Sequence, residues 1–171
     1  MMIVISGSNG SGKSVFAEGL AAGLSCPRYY IATMVSQTEE NERRIEKHRR
    51  QRAGLDFVTI EEPCFVSCAG VTEDSLVLLE DASNLLANLV FGQGGRAEQA
   101  LEEILKLKNR CRHLLVVTIS GLCPENYDGE TAAYIRAMLW LNDRLAEAAE
   151  GVVTLENGLP VWRKGRSDDL C

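Results

Sequence analysis

The sequence has few aromatic residues, few prolines and no long apolar run. Aromatic residues make up 6% of the chain, and 4 prolines occur among its 171 residues. Its longest apolar stretches, such as Leu114 to Thr118 and Leu76 to Leu79, are far shorter than the ~20 residues that span a bilayer. The amino terminus lacks the basic stretch and the long apolar segment of a secretory signal. We therefore expect no membrane span and a cytoplasmic location.

Basic residues are fewer than acidic residues in this chain. The chain has 18 Lys and Arg against 24 Asp and Glu, with a net charge of −6. This balance argues against a nucleic-acid partner, because such proteins carry basic surfaces that neutralise phosphates. Hydrophobic residues make up 46% of the chain, which is typical of a globular protein. The length predicts a single domain over residues 1–171.

Histidine is scarce, and the cysteines are not arranged as in a metal site. The only histidines are His48 and His113, and Cys64 and Cys68 have no second cysteine or histidine pair after them. Zinc sites usually combine two such pairs, so a structural zinc is not expected. Six cysteines would suit a disulfide framework only in a small secreted chain, and reduced thiols are expected here.

What the sequence does contain is an alternation of apolar strand-like runs and helical segments. This order predicts an α/β fold, P-loop NTPase-like, with a mainly parallel sheet covered by helices on both faces. The last two strands could form an antiparallel hairpin across Asn157-Gly158. The expected strands are residues 3–6, 29–33, 57–60, 75–79, 113–118, 151–155 and 159–162, and the expected helices are 14–24, 38–52, 81–91, 97–111 and 130–150.

The most specific motif follows the first predicted strand. It matches the pattern GxxxxGK(S/T) between a strand and a helix, which is the context of a phosphate-binding loop. In such a loop the backbone N–H groups and the helix N-terminus face the phosphates. The lysine reaches the β- and γ-phosphates. The predicted nucleotide-binding residues are Gly7, Ser8, Asn9, Gly10, Ser11, Gly12, Lys13 and Ser14.

A magnesium site is expected beside this loop. The Ser14 hydroxyl would bind Mg²⁺, and an acid at the end of another buried strand would complete the site. Glu80 stands in that place, directly after the apolar run 76–79, and Asp81 is the second choice. The alternative for this acidic pair is ordinary capping of the next helix.

A charged segment from residue 38 to 52 carries His48 among basic residues. By composition alone, such a segment is a solvated helix face with a bystander histidine. However, neighbouring guanidinium groups lower the pKa of an imidazole, which keeps it neutral and nucleophilic. The same groups can bind a triphosphate. His48 is therefore a candidate nucleophile, whereas His113 precedes a buried strand and is expected to be structural.

Taken together, these blocks resemble the bifunctional adenosylcobinamide kinase/adenosylcobinamide-phosphate guanylyltransferase family of cobalamin biosynthesis. The blocks that carry the resemblance, in chain order, are the P-loop, YIAT at 30–33, RIxxHRxxR at 44–52, EEP at 61–63, Asn88-Leu89, VT at 117–118 and NxRLA at 142–146. One segment departs from the family pattern. Residues 119–124 lack the Asn-Glu pair that the family has after VT.

The resemblance implies an enzyme with two activities. It would phosphorylate the aminopropanol hydroxyl of adenosylcobinamide, a corrinoid, with ATP or GTP. It would then transfer GMP from GTP to that phosphate through a guanylylated histidine, which by position is His48. Lys13 and Glu80 would serve as further catalytic residues. The resemblance also implies nucleotide contacts at Thr33, Arg49, Arg52 and Glu61, and a homo-oligomer, a trimer in the best-studied form.

Two other functions remain open at this point. One is a P-loop kinase that phosphorylates another small alcohol or nucleoside, in which His48 only contacts phosphate. The other is a catalytically reduced regulatory protein that binds GTP as a switch ligand.

Overall fold

The structure is a computed structural model that describes residues 1–35, 39, 42–43, 45–46, 50 and 53–166. Its described part contains a seven-stranded sheet in the order β3-β2-β4-β5-β1-β6-β7. All neighbouring strands are parallel except β6 and β7, which are antiparallel. The strands are β1 Met2–Gly7, β2 Arg28–Ala32, β3 Phe57–Glu61, β4 Leu76–Glu80, β5 His113–Ile119, β6 Gly151–Glu156 and β7 Leu159–Lys164. The α/β fold expected from the sequence, including the C-terminal hairpin, is confirmed.

Helices cover both faces of the sheet. They are α1 Lys13–Ala22, α2 Ala82–Ala87, α3 Ala97–Lys108 and α4 Gly129–Ala148. One core lies between the sheet and α1, where Ala17 and Ala21 pack on Ile3 and Ile5. The other core lies on the opposite face, where α2, α3 and α4 pack on the sheet. The central strands β1, β4 and β5 are buried on both faces, which explains their continuous apolar sequences.

Short irregular helices complete the architecture. A π-helical turn, Asn88–Gly92, follows α2 directly, and 3₁₀ turns occur at Val66–Cys68 and Pro124–Asn126. The helix that the sequence predicts from residue 81 to 91 is therefore divided into an α-helical and a π-helical part. The predicted charged helix 38–52 is only partly within the described residues. Its described members are helical, namely Glu39, Glu42, Arg43, Ile45, Glu46 and Arg50.

The parallel pairing brings the C-terminal ends of several strands together on one side of the sheet, the carboxyl edge. The opposite side, where these strands begin, is the amino edge. Gly7 lies opposite Ile119 of β5, and Ala32 lies opposite both Glu80 of β4 and Glu61 of β3. Since β5 separates β1 from β4, the ends of β1 and β4 are about 10 Å apart across the sheet. The loop after β1 leads into α1, which spans this gap. Among the described residues, no helix has the length and apolar character that a bilayer crossing requires.

Candidate functional site

Two glycines at the ends of the segment between β1 and α1 are required by its geometry, Gly7 by close packing and Gly12 by its backbone conformation. A Cβ atom on Gly7 would lie 2.5 Å from the Ser11 Oγ and 3.1 Å from the Leu155 carbonyl oxygen. Gly12, the residue before α1, has a φ of 90°, a conformation that other L-residues rarely adopt. The loop therefore turns sharply at its start and again where it enters the helix. The chain thus passes from the end of β1 into the first turn of α1 within a few residues.

Lys13 is buried at the start of α1. Its Nζ donates hydrogen bonds to the carbonyl oxygens of Gly7, at 3.1 Å, and Ser8, at 2.7 Å. Burial lowers the pKa of Lys13, while the nearby carboxylates of Asp81 and Glu80 raise it. A buried ammonium group held against a phosphate-binding loop is well placed to neutralise an anion there.

Ser14 and Glu80 meet across the gap between the first and fourth strands. The Ser14 Oγ donates a hydrogen bond of 2.7 Å to the Glu80 Oε1. The Glu80 Oε2 is buried without a hydrogen-bond partner among the described residues. Burial and the neighbouring Asp81 raise the pKa of Glu80 to about 8, although the Ser14 hydrogen bond opposes the shift. The nearby Lys13 also opposes the shift but does not cancel the effect of burial.

This pair of side chains fits a magnesium ion. Mg²⁺ prefers oxygen ligands, and nucleotide sites hold it through one or two protein groups together with phosphates and water. The Ser14 hydroxyl and the Glu80 carboxylate supply such oxygens, and the unpartnered Oε2 is the atom that a cation would satisfy. Within the described part of the chain, no cluster of three or more His, Cys, Asp or Glu residues could hold a metal unaided.

Asp81, the second choice for the metal site, has a different role in the structure. Its Oδ1 accepts hydrogen bonds from the Asn84 backbone N–H, at 2.7 Å, and from the Ser83 hydroxyl. It is the N-cap of α2. The sequence left two roles open for these acids, metal binding and helix capping. In the structure, Asp81 caps α2, while Glu80 contacts Ser14.

Glu18 is a residue of this site that sequence reasoning missed. It lies in α1, four residues after Ser14, and is only 3% exposed. Its charge contributes to the raised pKa of Glu80, so the two carboxyl groups are close. The available signal was the helical spacing from Ser14, which places both side chains on one face of α1.

Thr33 and Glu61 lie at the same edge of the sheet but in different surroundings. Thr33 is fully buried, and its hydroxyl is within 3.0 Å of the Glu80 carbonyl oxygen. Glu61 is exposed at the end of the edge strand β3. The structure therefore places Thr33 against the Glu80 backbone, whereas Glu61 ends β3, two strands away from β4. The other predicted site residues, His48, Arg49 and Arg52, lie outside the described residues.

With this geometry established, comparison with known proteins is decisive. The family model described as cobinamide kinase / cobinamide phosphate guanyltransferase matches residues 3–162. The chain belongs to this family. The resemblance noted from the sequence blocks is thereby confirmed, and with it the expectation of an enzyme of the kinase and guanylyltransferase type.

Curated relatives span nearly the whole chain. It is similar to the bifunctional adenosylcobalamin biosynthesis protein CobP of Pseudomonas aeruginosa, at 33% identity over 96% of this chain and 98% of the relative. It is also similar to the proteins named CobU of Escherichia coli, at 30% identity, and Salmonella typhimurium, at 29% identity. Each of these comparisons covers 94% of this chain and 98% of the relative. The function expected from the sequence is therefore confirmed at the level of the family.

Solved structures agree on the fold. The chain is similar to an ATPase from the type III secretion system of pathogenic bacteria, with a TM-score of 0.56 and 12% identity. That comparison covers 99% of this chain and 60% of the ATPase. A protein from Pyrococcus horikoshii OT3 gives a TM-score of 0.54 and 8% identity, over 99% of this chain and 88% of that one. The P-loop NTPase-like fold is confirmed, and a nucleoside triphosphate is the substrate class that the fold and family share.

Proposed function

We propose that this chain catalyses both family reactions: NTP-dependent phosphorylation of adenosylcobinamide, then GMP transfer from GTP to the resulting phosphate. The observation that carries the proposal is the 2.7 Å contact between Ser14 and Glu80 beside the phosphate-binding loop. This contact brings together the two predicted magnesium ligands, which are 66 positions apart in the sequence. The corrinoid acceptor is inferred from the family.

In the first reaction, the loop and Lys13 would hold the nucleoside triphosphate. Lys13 would exchange its two carbonyl partners for phosphate oxygens and neutralise negative charge on the transferred group. Ser14 and Glu80 would bind Mg²⁺, which lowers the negative charge on the phosphates. The acceptor hydroxyl oxygen forms a bond to the γ-phosphorus, the bond to the β,γ-bridging oxygen breaks, and the hydroxyl proton is released.

In the second reaction, His48 would be the nucleophile. A ring nitrogen would form a bond to the α-phosphorus of GTP, and pyrophosphate would leave. The phosphate of the acceptor would then displace the histidine and yield the GDP-linked product. Arg49 and Arg52 would bind phosphate oxygens during this step, and Glu61 would contact the nucleotide. Thr33 is buried and would act on the site through the Glu80 backbone instead of contacting the nucleotide directly. We further propose a homo-oligomer, a trimer by family resemblance, in the cytoplasm.

Covalent labelling tests the proposal. Purified protein is incubated with Mg²⁺ and α-³²P-GTP, and acid-labile, alkali-stable label on the protein is measured. We expect label in the unmodified protein, none in His48→Ala and little in Lys13→Ala. His113→Ala is the matched control, because His113 is the other histidine and lies buried on β5. It should retain the label.

Two results would count against the histidine step. Equal labelling of His48→Ala and the unmodified protein would place the adduct on another residue. GTP binding without any label would exclude a guanylyl-histidine intermediate and favour either a plain kinase or a GTP-binding regulatory protein. An assay for phosphorylation of an alcohol acceptor would distinguish these two, because only the kinase would turn over.

A second acceptor class is favoured by one observation. Residues 119–124, which end β5 and begin the loop after it, depart from the family pattern. The Ser120 N–H donates to the Gly7 carbonyl oxygen at 3.0 Å, so this segment lies beside the phosphate loop. A small alcohol or nucleoside is therefore the alternative acceptor. Phosphorylation assays with adenosylcobinamide and with such alcohols in parallel decide between them.

A further inference from the structure

The side-chain amide of Asn88 connects two strand ends beside the proposed site. Asn88 begins the π-helical turn after α2. Its Nδ2 donates hydrogen bonds to the carbonyl oxygens of Thr33, at 2.8 Å, and Pro63, at 2.9 Å. These oxygens follow β2 and β3, respectively. Both hydrogens of the amide are thus used to hold backbone from two neighbouring strands.

Thr33 in turn holds the backbone at the end of β4. The Thr33 hydroxyl is within 3.0 Å of the Glu80 carbonyl oxygen and 2.9 Å of the Asp81 carbonyl oxygen, and it accepts a hydrogen bond from the Asp81 N–H. The Thr33 N–H also donates to the Glu80 carbonyl oxygen, at 3.1 Å. Contacts from one residue therefore surround the peptide group that follows the Glu80 side chain.

We infer that Asn88 is a positioning residue for phosphoryl transfer. It acts through Thr33 to hold the Glu80 carboxylate opposite Ser14. This inference rests on the proposed function, in which Glu80 and Ser14 bind Mg²⁺. The continuous chain of contacts runs from the Asn88 amide to Thr33, then to the Glu80–Asp81 backbone, and finally to the Ser14 hydroxyl. The hydrogen bonds of the Asn88 side chain within the described residues end at Thr33 and Pro63 and not at the phosphate loop, so nucleotide binding and acid placement are separable.

The local helix geometry supports a positional role. A π-helical turn replaces regular α-helix at the residue that makes these contacts, and π-helical turns are frequent at functional sites. Small displacements matter at such a site, since a shift of about 1 Å in a catalytic group can lower a rate ~100-fold. Loss of the Asn88 amide is therefore expected to affect catalysis more than ground-state binding.

The test measures nucleotide affinity with and without magnesium. The dissociation constant of a fluorescent GTP analogue is determined in EDTA and in Mg²⁺ for Asn88→Ala and Asn88→Asp. We expect the affinity in EDTA to stay within about twofold of the unmodified protein, because Lys13 and the loop are intact. The gain in affinity on adding Mg²⁺ should fall about tenfold, and kcat for phosphoryl transfer should fall about 10- to 100-fold.

Further variants separate positioning from a purely structural effect. Thr33→Val removes the hydroxyl at nearly constant volume and should reproduce the loss, and Thr33→Ser should restore most of it. Glu150→Gln weakens hydrogen bonds at the opposite edge of the sheet, where the Glu150 carboxylate binds Lys108 and the Met2 N–H. It should lower the melting temperature without changing the magnesium-dependent gain.

The inference is overturned if Asn88→Ala lowers the melting temperature but keeps the magnesium-dependent gain and kcat. It is also overturned if the affinity in EDTA falls as much as the affinity in Mg²⁺, because the defect would then be general. Failure of the proposed function would give a different result, because the unmodified protein would transfer no phosphoryl group to the acceptor. The gain in nucleotide affinity on adding Mg²⁺ would still test the role of Asn88 in that case.

Discussion

At the carboxyl edge of the sheet, the Glu80 carboxylate is enclosed beside α1, whereas at the amino edge the Glu150 carboxylate is exposed and fully partnered. Within the described part of the chain, the Glu80 carboxylate receives one hydrogen bond, from Ser14, and its pKa is raised to about 8, mainly by burial. Burial also pushes the pKa of Glu150 upward, but hydrogen bonds from Lys108 and the Met2 N–H outweigh it and lower the pKa. At the carboxyl edge, one oxygen of Glu80 has no hydrogen-bond partner among the described residues. At the amino edge, both oxygens of Glu150 are hydrogen-bonded and stabilise the fold.

The lysines of the two edges differ in the same way. Lys13 is buried and bound to two carbonyl oxygens of the loop. Lys108 is partly exposed and bound to the Ala148 carbonyl oxygen and to Glu150, at 3.1 and 2.9 Å. The contrast indicates where ligand chemistry is located, because a buried lysine and a buried carboxyl group with a strongly raised pKa lie together at the carboxyl edge.

The largest expected effect comes from removing the charge at the carboxyl edge. Lys13→Met should lower phosphoryl transfer by about 10³-fold, because a buried donor to the transferred phosphate is lost. The measurement is steady-state release of nucleoside diphosphate in the presence of acceptor. Lys108→Met is the matched control and should change the rate less than about twofold. Similar losses in both variants would remove the functional distinction between the two edges.

Glu80→Gln should separate activity from stability. Phosphoryl transfer should fall about 100-fold, because an amide is a weaker magnesium ligand. In the magnesium-free protein, however, the substitution should raise the free energy of unfolding at pH 8.5 by a few kcal/mol, on the order set by the pKa shift. Urea unfolding in EDTA at pH 5.5, 7 and 8.5 measures this difference.

The sign of that pH dependence follows from the direction of the shift. The pKa of folded Glu80, about 8, lies above the ordinary value of 4.5, so the unfolded chain loses the proton first as the pH rises. The Glu80 contribution to stability is therefore fully present below pH 4.5 and is lost as the pH rises through about 8. A stability difference between Glu80→Gln and the unmodified protein that does not change with pH would contradict the raised pKa.

Glu150→Gln should have the smallest and opposite effect on stability. We expect a loss of about 1 kcal/mol near pH 7, because the charged partner of Lys108 disappears from a largely exposed pair. The lowered pKa means that the stabilisation is present above the ordinary value of 4.5 and is lost as the pH falls through the folded value. Urea unfolding between pH 7 and 3 should show the two proteins converging in acid, and a constant difference would exclude the carboxylate as its source.

Sequence patterns predicted much of the fold because its central strands have simple signals. β4 and β5 are continuous apolar runs, and the phosphate loop combines a motif with a strand before it and a helix after it. The location of Glu80 beside Ser14 also followed from position, since a parallel strand ends at the same edge as the P-loop strand, while its metal-binding role stays a prediction. Helix ends were less accurate. The helix expected to reach Cys111 ends at Lys108, because the chain must turn before β5 begins.

The supporting contacts could not be predicted in the same way. The Asn88 amide binds a carbonyl oxygen 55 positions earlier in the chain, and no local pattern encodes such a side-chain-to-backbone contact. Glu18 was missed because an acid in an amphipathic helix normally faces solvent. The π-helical turn after α2 likewise has no periodic signature, so the sequence predicted a longer α-helix there.

The most direct test of the central claim is phosphorylation of adenosylcobinamide itself. Purified protein, Mg²⁺ and GTP or ATP are incubated with adenosylcobinamide, and the corrinoid product is identified by mass spectrometry for the unmodified protein, Glu80→Gln and Glu150→Gln. We predict the gain of one phosphate with the unmodified protein and with Glu150→Gln, and a rate about 100-fold lower with Glu80→Gln. Phosphorylation by Glu80→Gln at the unmodified rate, or none by any of the three, would contradict the account.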